Sequence, residues 1–293
     1  MSPRQFTKRA FKQVDVFSLE PYQGNPVAVV MQAEGLSTED MQHIAAWTKM
    51  SETTFVLPTT HPDADYQVRI FTPQKELPFA GHPTLCTAHA LMEDGDISPQ
   101  DGILVQQCPA GLINLDVEVI DQDFSLYFSL PQASAQEITQ DMRVALMQAL
   151  GDVEIGAAWQ INVGPTWVTL QLENAGVLRN LHVDMAQIKK LSAKARITGV
   201  TVFGELPRGG DAAFEVRSFA PITGVPENHV SASSNGCVAW VVQKDALVTG
   251  NAYTAHQGGC AGHDGKVNVL YQPDGRILIG GHSVTCVSGS IIA

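Results

Sequence analysis

Two residues in the first third of the chain have side chains suited to moving a proton or holding an anion, and both fall where one element hands over to the next. His82 lies in Gly81-His82-Pro83-Thr84, which opens an apolar segment with Leu85, Cys86, Ala88, Ala90, Leu91 and Met92 and no polar stripe. Pro83 suits the first helical position, where its missing N–H costs nothing, so His82 is expected at the N-cap. A helix apolar on all sides is expected to be buried. Its mouth then aims free N–H groups and a positive dipole end at one spot, a natural seat for an anionic group. Glu52 lies in Met50-Ser51-Glu52-Thr53-Thr54-Phe55-Val56, at the junction of a helix and a strand predicted from about Thr53. A carboxylate that relays a proton between carbons needs a pKa raised toward neutrality, typically by a dry pocket. Phe55 and Val56 make such surroundings plausible for Glu52.

Other chemistries find little support. The five cysteines (Cys86, Cys108, Cys237, Cys260, Cys286) form no CxxC, and the nine histidines give no HxxxH or HExxH spacing, so no metal site is expected. Cys86 and Cys237 fall inside apolar helices, where packing is favoured over nucleophilic work. A net charge of −12 argues against a nucleic-acid partner but leaves room for a small anionic substrate in a locally positive pocket. No run of eighteen apolar residues predicts a membrane span, and the basic N-terminal stretch lacks the apolar core of a secretory signal. Few, unpaired cysteines fit a reduced, cytoplasmic setting.

The elements that must position these residues can be read in outline. Residues 13–31 read as a hairpin turning at Glu20-Pro21-Tyr22-Gln23-Gly24-Asn25, where Asn25 is also a candidate for substrate contact. Ser37 to Asp40 resembles a capping box, with Leu36 and Met41 as its staple, ahead of a helix reaching about Lys49. Strands are expected at 68–72, 103–108, 112–120 and 124–130. Beyond them a linker is expected at 131–135, a helix from about 137 to 150, and strands at 159–163 and 166–172. A helix near 184–191 and strands at 197–203, 213–219, 266–271 and 276–280 follow, with two short ones at 283–287 and 290–292.

The second half repeats the first. Val68-Arg69-x-Phe71-x-Pro73 returns as Val216-Arg217-x-Phe219-x-Pro221, an offset of 148, which also takes Pro78 to Pro226 and the apolar helix to 231–242. Gly24-Asn25-Pro26-Val27 is echoed loosely by Gly164-Pro165-Thr166-Trp167. One long-period repeat implies two similar domains, each with strands around a buried helix. We place the first at 1–131, with the last strand (about 283–293) joining it, and the second at 132–282. If the halves face each other, the two helix mouths converge on a cleft.

These segments in order, VDVF…GNPVAVV, MSETTFV, RIFTPQKELPFAGHPTLCTAHAL, RSFAP…ENHVSASSNGC and the closing Gly-Gly, resemble the PhzF-like family of the diaminopimelate-epimerase-like fold, over nearly the whole chain. The resemblance implies an α+β fold of two mixed β-barrels, each around a central helix, with the active site between them. It also implies a homodimer and neither metal nor organic cofactor. It gives Glu52 the role of general acid/base, and places His82, Gly81, Asn228, Ser233 and Asn25 at a substrate. The family's EDPxTGSA motif falls on Glu227 to Ser234, so its aspartate is Asn228, its proline His229 and its glycine Ala232. Ser233 has a second reading as the cap of the second helix. The leading expectation is therefore a cofactor-independent isomerase of a small carboxylate-bearing metabolite. The alternatives are a non-catalytic small-molecule-binding member of the fold and a two-cysteine racemase or epimerase. In the last class a cysteine stands where this chain has Ala80.

Overall fold

The computed structural model describes residues 7–120 and 123–293, so the first six residues of the basic N-terminal stretch lie outside it. The chain divides into two compact units, Met1–Phe128 with Gly280–Ala293, and Ser129–Ile279.

The first unit begins with the antiparallel hairpin β1 (Lys8–Val16) and β2 (Asn25–Val30). Helix α1 (Thr38–Thr48) starts at the reciprocal Ser37/Asp40 capping box and stops where Lys49 turns left-handed, at φ 57°. Strand β3 (Thr53–Leu57) lies parallel to β2, and β4 (Tyr66–Phe71) returns antiparallel to β3. The two-residue β5 (Glu76–Leu77) leads to helix α2 (Gly81–Glu93). Strand β6 (Ile103–Cys108) then pairs parallel with β4, and β7 (Gly111–Ile120) and β8 (Asp123–Ser129) complete a meander.

Helix α2 is the buried helix that its composition predicts, with Pro83 to Leu91 all buried against β1, β2 and β3. Its two threonines do not violate that apolar setting, because each is paired. Thr87 Oγ1 lies 2.7 Å from the Pro83 carbonyl oxygen and 2.9 Å from Thr54 Oγ1, and Thr84 Oγ1 accepts from Gln106 Nε2 at 3.0 Å. Buried hydroxyls so satisfied avoid the penalty of an unmade hydrogen bond.

The second unit contains β9 (Ser134–Glu137), α3 (Gln140–Ala149), β10 (Ala158–Asn162), β11 (Thr166–Gln171), α4 (Ala175–Arg179), α5 (Met185–Ala195), β12 (Gly199–Glu205) and β13 (Phe214–Ala220). It continues with β14 (Val225–Asn228), α6 (Ala232–Lys244), β15 (Ala252–Gln257), β16 (Gly265–Tyr271) and β17 (Ile277–Gly281). The chain then returns to the first unit as one continuous strand, β18 (Ser283–Ile292), antiparallel to β1, rather than as two short strands. Part of the expected linker at 131–135 is taken into β9, which pairs with β10, while α4 and β15 lie where no element was expected.

Ladder by ladder, the units match. Strands β11 and β12 are parallel as β2 and β3 are, β12 and β13 antiparallel as β3 and β4 are, and β13 and β15 parallel as β4 and β6 are. The register fixes the correspondence residue by residue. Thr53 faces Phe71 as Val200 faces Phe219, and Phe71 faces Glu76 as Phe219 faces Glu227. The offset is thus 147 in β12 (200 − 53), 148 in β13 (219 − 71) and 151 (227 − 76) afterwards. The difference of three is taken up around a short 3-10 turn at Pro221–Thr223 closed by Gly224 at φ 89°. Leu77 therefore corresponds to Asn228, and the expected match of Pro78 with Pro226 is wrong. Helix starts Gly81 and Ala232 also stand 151 apart, which pairs His82 with Ser233 and Cys86 with Cys237. Both thiols are buried and point at a backbone carbonyl, Val14 O and Ile161 O respectively.

Upstream, the same logic pairs Glu52 with Gly199, each one residue before Thr53 and Val200. A Cβ on Gly199 would lie 2.2 Å from the Phe219 carbonyl oxygen and 2.8 Å from Cζ3 of Trp167. The first obstacle is backbone and cannot retreat, so Gly199→Ala should cost about 1–3 kcal/mol of stability, as overpacking does. Urea denaturation would show it as a lower midpoint at unchanged slope.

Candidate active site

At the mouth of α2 the structure brings two of the expected residues together. His82 Nε2 stands 2.9 Å from Glu52 Oε2, with the side chains 14% and 15% exposed. The two nitrogen and oxygen atoms are close enough to form an ion pair, though not in the alignment of a good hydrogen bond. Such contacts often tighten only when a substrate is bound. Glu52 is held from the strand side as well, since its carbonyl accepts the Ala28 N–H of β2 at 3.3 Å. Asn25 begins that same strand, buried and opposite Val16 in β1.

The helix start differs from expectation. Ala80, extended at φ −152°, is the N-cap and makes no side-chain cap bond, so Gly81, His82 and Pro83 occupy the first three helical positions. Pro83 is tolerated there because the first four N–H groups of a helix have no intrahelical partner. His82 is consequently free of capping duty and turns its ring to Glu52. Gly81 is required by close approach: a Cβ on it would lie 2.3 Å from Cζ of Phe128.

The expectation that Glu52 is raised toward neutrality is not met. Burial pushes its pKa up, but the facing charge of His82 and the polar contacts of His82 and Ser51 outweigh that push, and the net direction is down. Glu52 therefore rests as a carboxylate, the form that accepts a proton. A lowered carboxyl pKa contributes stability that is present above its unfolded value and is lost as pH falls through the folded one. Removing the imidazole leaves burial as the main influence, so in His82→Ala the acid limb of a pH–rate profile should move to higher pH. A limb that stays in place would disconnect His82 from the ionisation of Glu52.

The mouth of α6 in the second unit is built differently. Ser231, not Ser233, caps the helix, accepting the Ser234 N–H at 3.3 Å. Ser233, half-buried, instead accepts the indole N–H of Trp167 at 3.0 Å. Gln257, 1% exposed, ties the mouth together. Its Oε1 accepts from Ser231 N at 3.1 Å and Asn235 Nδ2 at 2.6 Å, while its Nε2 donates to the Asn228 carbonyl at 3.3 Å. Asn228 is thus fixed by its backbone at the end of β14, opposite Ser218. The next residue, His229, stacks on His263 with ring centres 3.8 Å apart.

Behind each mouth sits the same brace. Arg69 forks onto Glu76 through two 2.7 Å bonds, with its guanidinium carbon 5.1 Å from the centre of the Phe71 ring. Arg217 forks onto Glu227 through two 2.8 Å bonds and lies 5.0 Å from the Phe219 ring centre. Bidentate pairs of this kind fix direction as well as distance. They anchor β5 and β14, the short strands that deliver the chain to each helix mouth. The repeated Val-Arg-x-Phe signal contained the arginines, whereas Trp167 and Gln257 carried no sequence signal that singled them out. Among the described residues no group of three or more His, Cys, Asp and Glu side chains could hold a metal ion, and no helix is long and apolar enough to cross a membrane.

Comparison with known proteins decides the family. The family model described as phenazine biosynthesis-like protein, PhzC-PhzF, matches residues 14–289. The chain belongs to the PhzC-PhzF family. It is 36% identical over 294 residues to antisense-enhancing sequence 1 of Schizosaccharomyces pombe, covering 97% of this chain and 98% of that one. It is 34% identical over 233 residues to the trans-2,3-dihydro-3-hydroxyanthranilate isomerase of Pseudomonas aeruginosa, covering 77% of each. A crystal structure of a PhzF-family phenazine biosynthesis protein from Bacillus anthracis superposes with a TM-score of 0.86 at 20% identity, over 98% of this chain and all of that one. The α+β PhzF fold and isomerase-type chemistry are therefore those of this chain's family.

Proposed function

We propose that this PhzF-family chain is a cofactor-independent isomerase of a small carboxylate-bearing metabolite, with Glu52 as the group that moves the proton. The observation that carries the reading is the nearly buried Glu52–His82 pair at the mouth of a buried helix. Glu52, resting as a carboxylate, takes a proton from one carbon of the substrate. The electron pair released shifts along the conjugated system, and the protonated Glu52 returns a proton at another carbon. Atoms and charge balance, and the enzyme regains its starting form. His82, Gly81, Asn25, Asn228 and Ser233 are the groups assigned on this reading to hold the anionic substrate. The molecule works as a homodimer in the cytoplasm; light scattering that gave the mass of one chain would refute the dimer.

The test is turnover in heavy water with trans-2,3-dihydro-3-hydroxyanthranilate, the compound named for the Pseudomonas aeruginosa relative, and with other unsaturated carboxylates. Deuterium entering a carbon of the product supports the reading. A second reading is favoured by Asn228, which stands in place of the motif's aspartate and offers hydrogen bonds but no titratable group. A non-catalytic binding protein would retain such a ligand without exchange, and would gain exchange in Asn228→Asp.

A further inference from the structure

We infer that Trp167 is a positioning residue that makes Ser233 a hydrogen-bond donor to the substrate. The inference rests on the proposed reading in which Ser233 contacts substrate.

The argument begins from the duplication. In the first unit the position before the third strand is Glu52, and the second residue of the buried helix is His82. In the second unit the matching positions are Gly199 and Ser233. Trp167, paired with Gly199 in the β11–β12 ladder and 2% exposed, fills the space that a side chain at 199 would need. Its indole N–H then reaches Ser233 Oγ at 3.0 Å. Where one half places a carboxylate against a histidine, the other places an indole against a hydroxyl.

The chemistry of that contact is one-directional. An indole nitrogen donates and never accepts, whereas a hydroxyl offers one proton and two lone pairs. Trp167 therefore occupies a lone pair of Ser233 and directs the hydroxyl proton elsewhere. Among the described residues the protein hydroxyl within range is Ser231 Oγ at 3.4 Å, a long contact in which either oxygen could donate. Ser231 Oγ is already engaged by the Ser234 N–H at 3.3 Å. A substrate carboxylate or developing enolate oxygen is the stronger acceptor, because charged partners shorten and strengthen the bond. Without the indole N–H, Ser233 would be free to turn its proton inward.

The experiment measures the dissociation constant of 3-hydroxyanthranilate, an aromatic carboxylate that cannot isomerise, on the full-length protein. Ser233→Ala and Trp167→Phe, which keeps the buried ring and loses the N–H, should each weaken binding by about tenfold or more, the worth of a hydrogen bond to a charged group. The double variant should bind no more weakly than Ser233→Ala alone, because the two residues act through one bond. A Trp167→Phe affinity equal to wild type beside a weakened Ser233→Ala overturns the inference and leaves the functional reading intact, as do additive effects. An unaffected Ser233→Ala overturns the inference together with the proposed contact of Ser233 with substrate, and a wild type that binds neither this probe nor another unsaturated carboxylate overturns the inference and the functional reading. If Trp167→Phe fails to fold, the indole N–H proton resonance of Trp167 in the wild type answers the same question. It should move when the probe binds and remain unmoved in Ser233→Ala; indifference to the probe in wild type overturns the inference.

Discussion

Glu52→Gln is expected to lower turnover by about 10²- to 10⁴-fold, the range that a positioned acid/base group supplies. Glutamine keeps the size and the hydrogen-bonding capacity of the side chain but cannot carry a proton away from carbon. The pairing with His82 at 2.9 Å makes the loss specific, since the imidazole loses the anion it faces and nothing else around the mouth of α2 is resized. Substrate affinity should change far less than turnover, because an interaction used only at the transition state lowers kcat without a matching rise in KM. Deuterium exchange into substrate should fall with turnover. A Glu52→Gln protein that retains full exchange would remove Glu52 from the chemistry.

The largest expected effect on stability belongs to the second brace. In Glu227→Gln, Arg217 keeps its charge with a side chain only 10% exposed and loses both carboxylate bonds. It keeps the Leu178 carbonyl at 3.1 Å, the face of Phe219 and the charge of Glu215, none of which replaces the two bonds lost. Stranding a buried charge costs about 3–5 kcal/mol, equivalent to a fall of about 6–20 °C in Tm for a unit of this size. Glu76→Gln is the internal comparison. The Arg69–Glu76 pair is 22% and 29% exposed, so water can replace much of what is lost and the cost should be smaller. Equal losses at the two positions would mean that burial is not what separates them.

How much of this was legible beforehand depended on whether the signal was local. The Ser37/Asp40 cap, the β1–β2 hairpin and the buried α2 are short-range patterns, and each is present, although α2 is capped at Ala80 rather than at His82. Glu52 and His82 were legible as element junctions, but their contact is a tertiary event: thirty residues apart, they meet because β3 runs past the start of α2. The sign of the Glu52 shift was misread because neighbouring Phe55 and Val56 indicate burial, while the imidazole that outweighs burial comes from another element. At the second helix, Ser231 and Ser233 look interchangeable in a serine-rich run, and only the fold shows which one caps. The three residues added around Pro221–Thr223 likewise hid the true partner of Pro78, since proline matched proline at a constant offset.

Glycine at position 199, which matches Glu52 of the other half, has a stereochemical consequence for the proposed reaction. Two bases on opposite sides of a substrate remove a proton from one face and replace it on the other. Here the matching position of the second half has no side chain, and its space is taken by an indole. On the proposed reading a single carboxylate both collects and delivers the proton, which then returns to the face it left, and in a fraction of turnovers the hydrogen that leaves is the hydrogen that comes back.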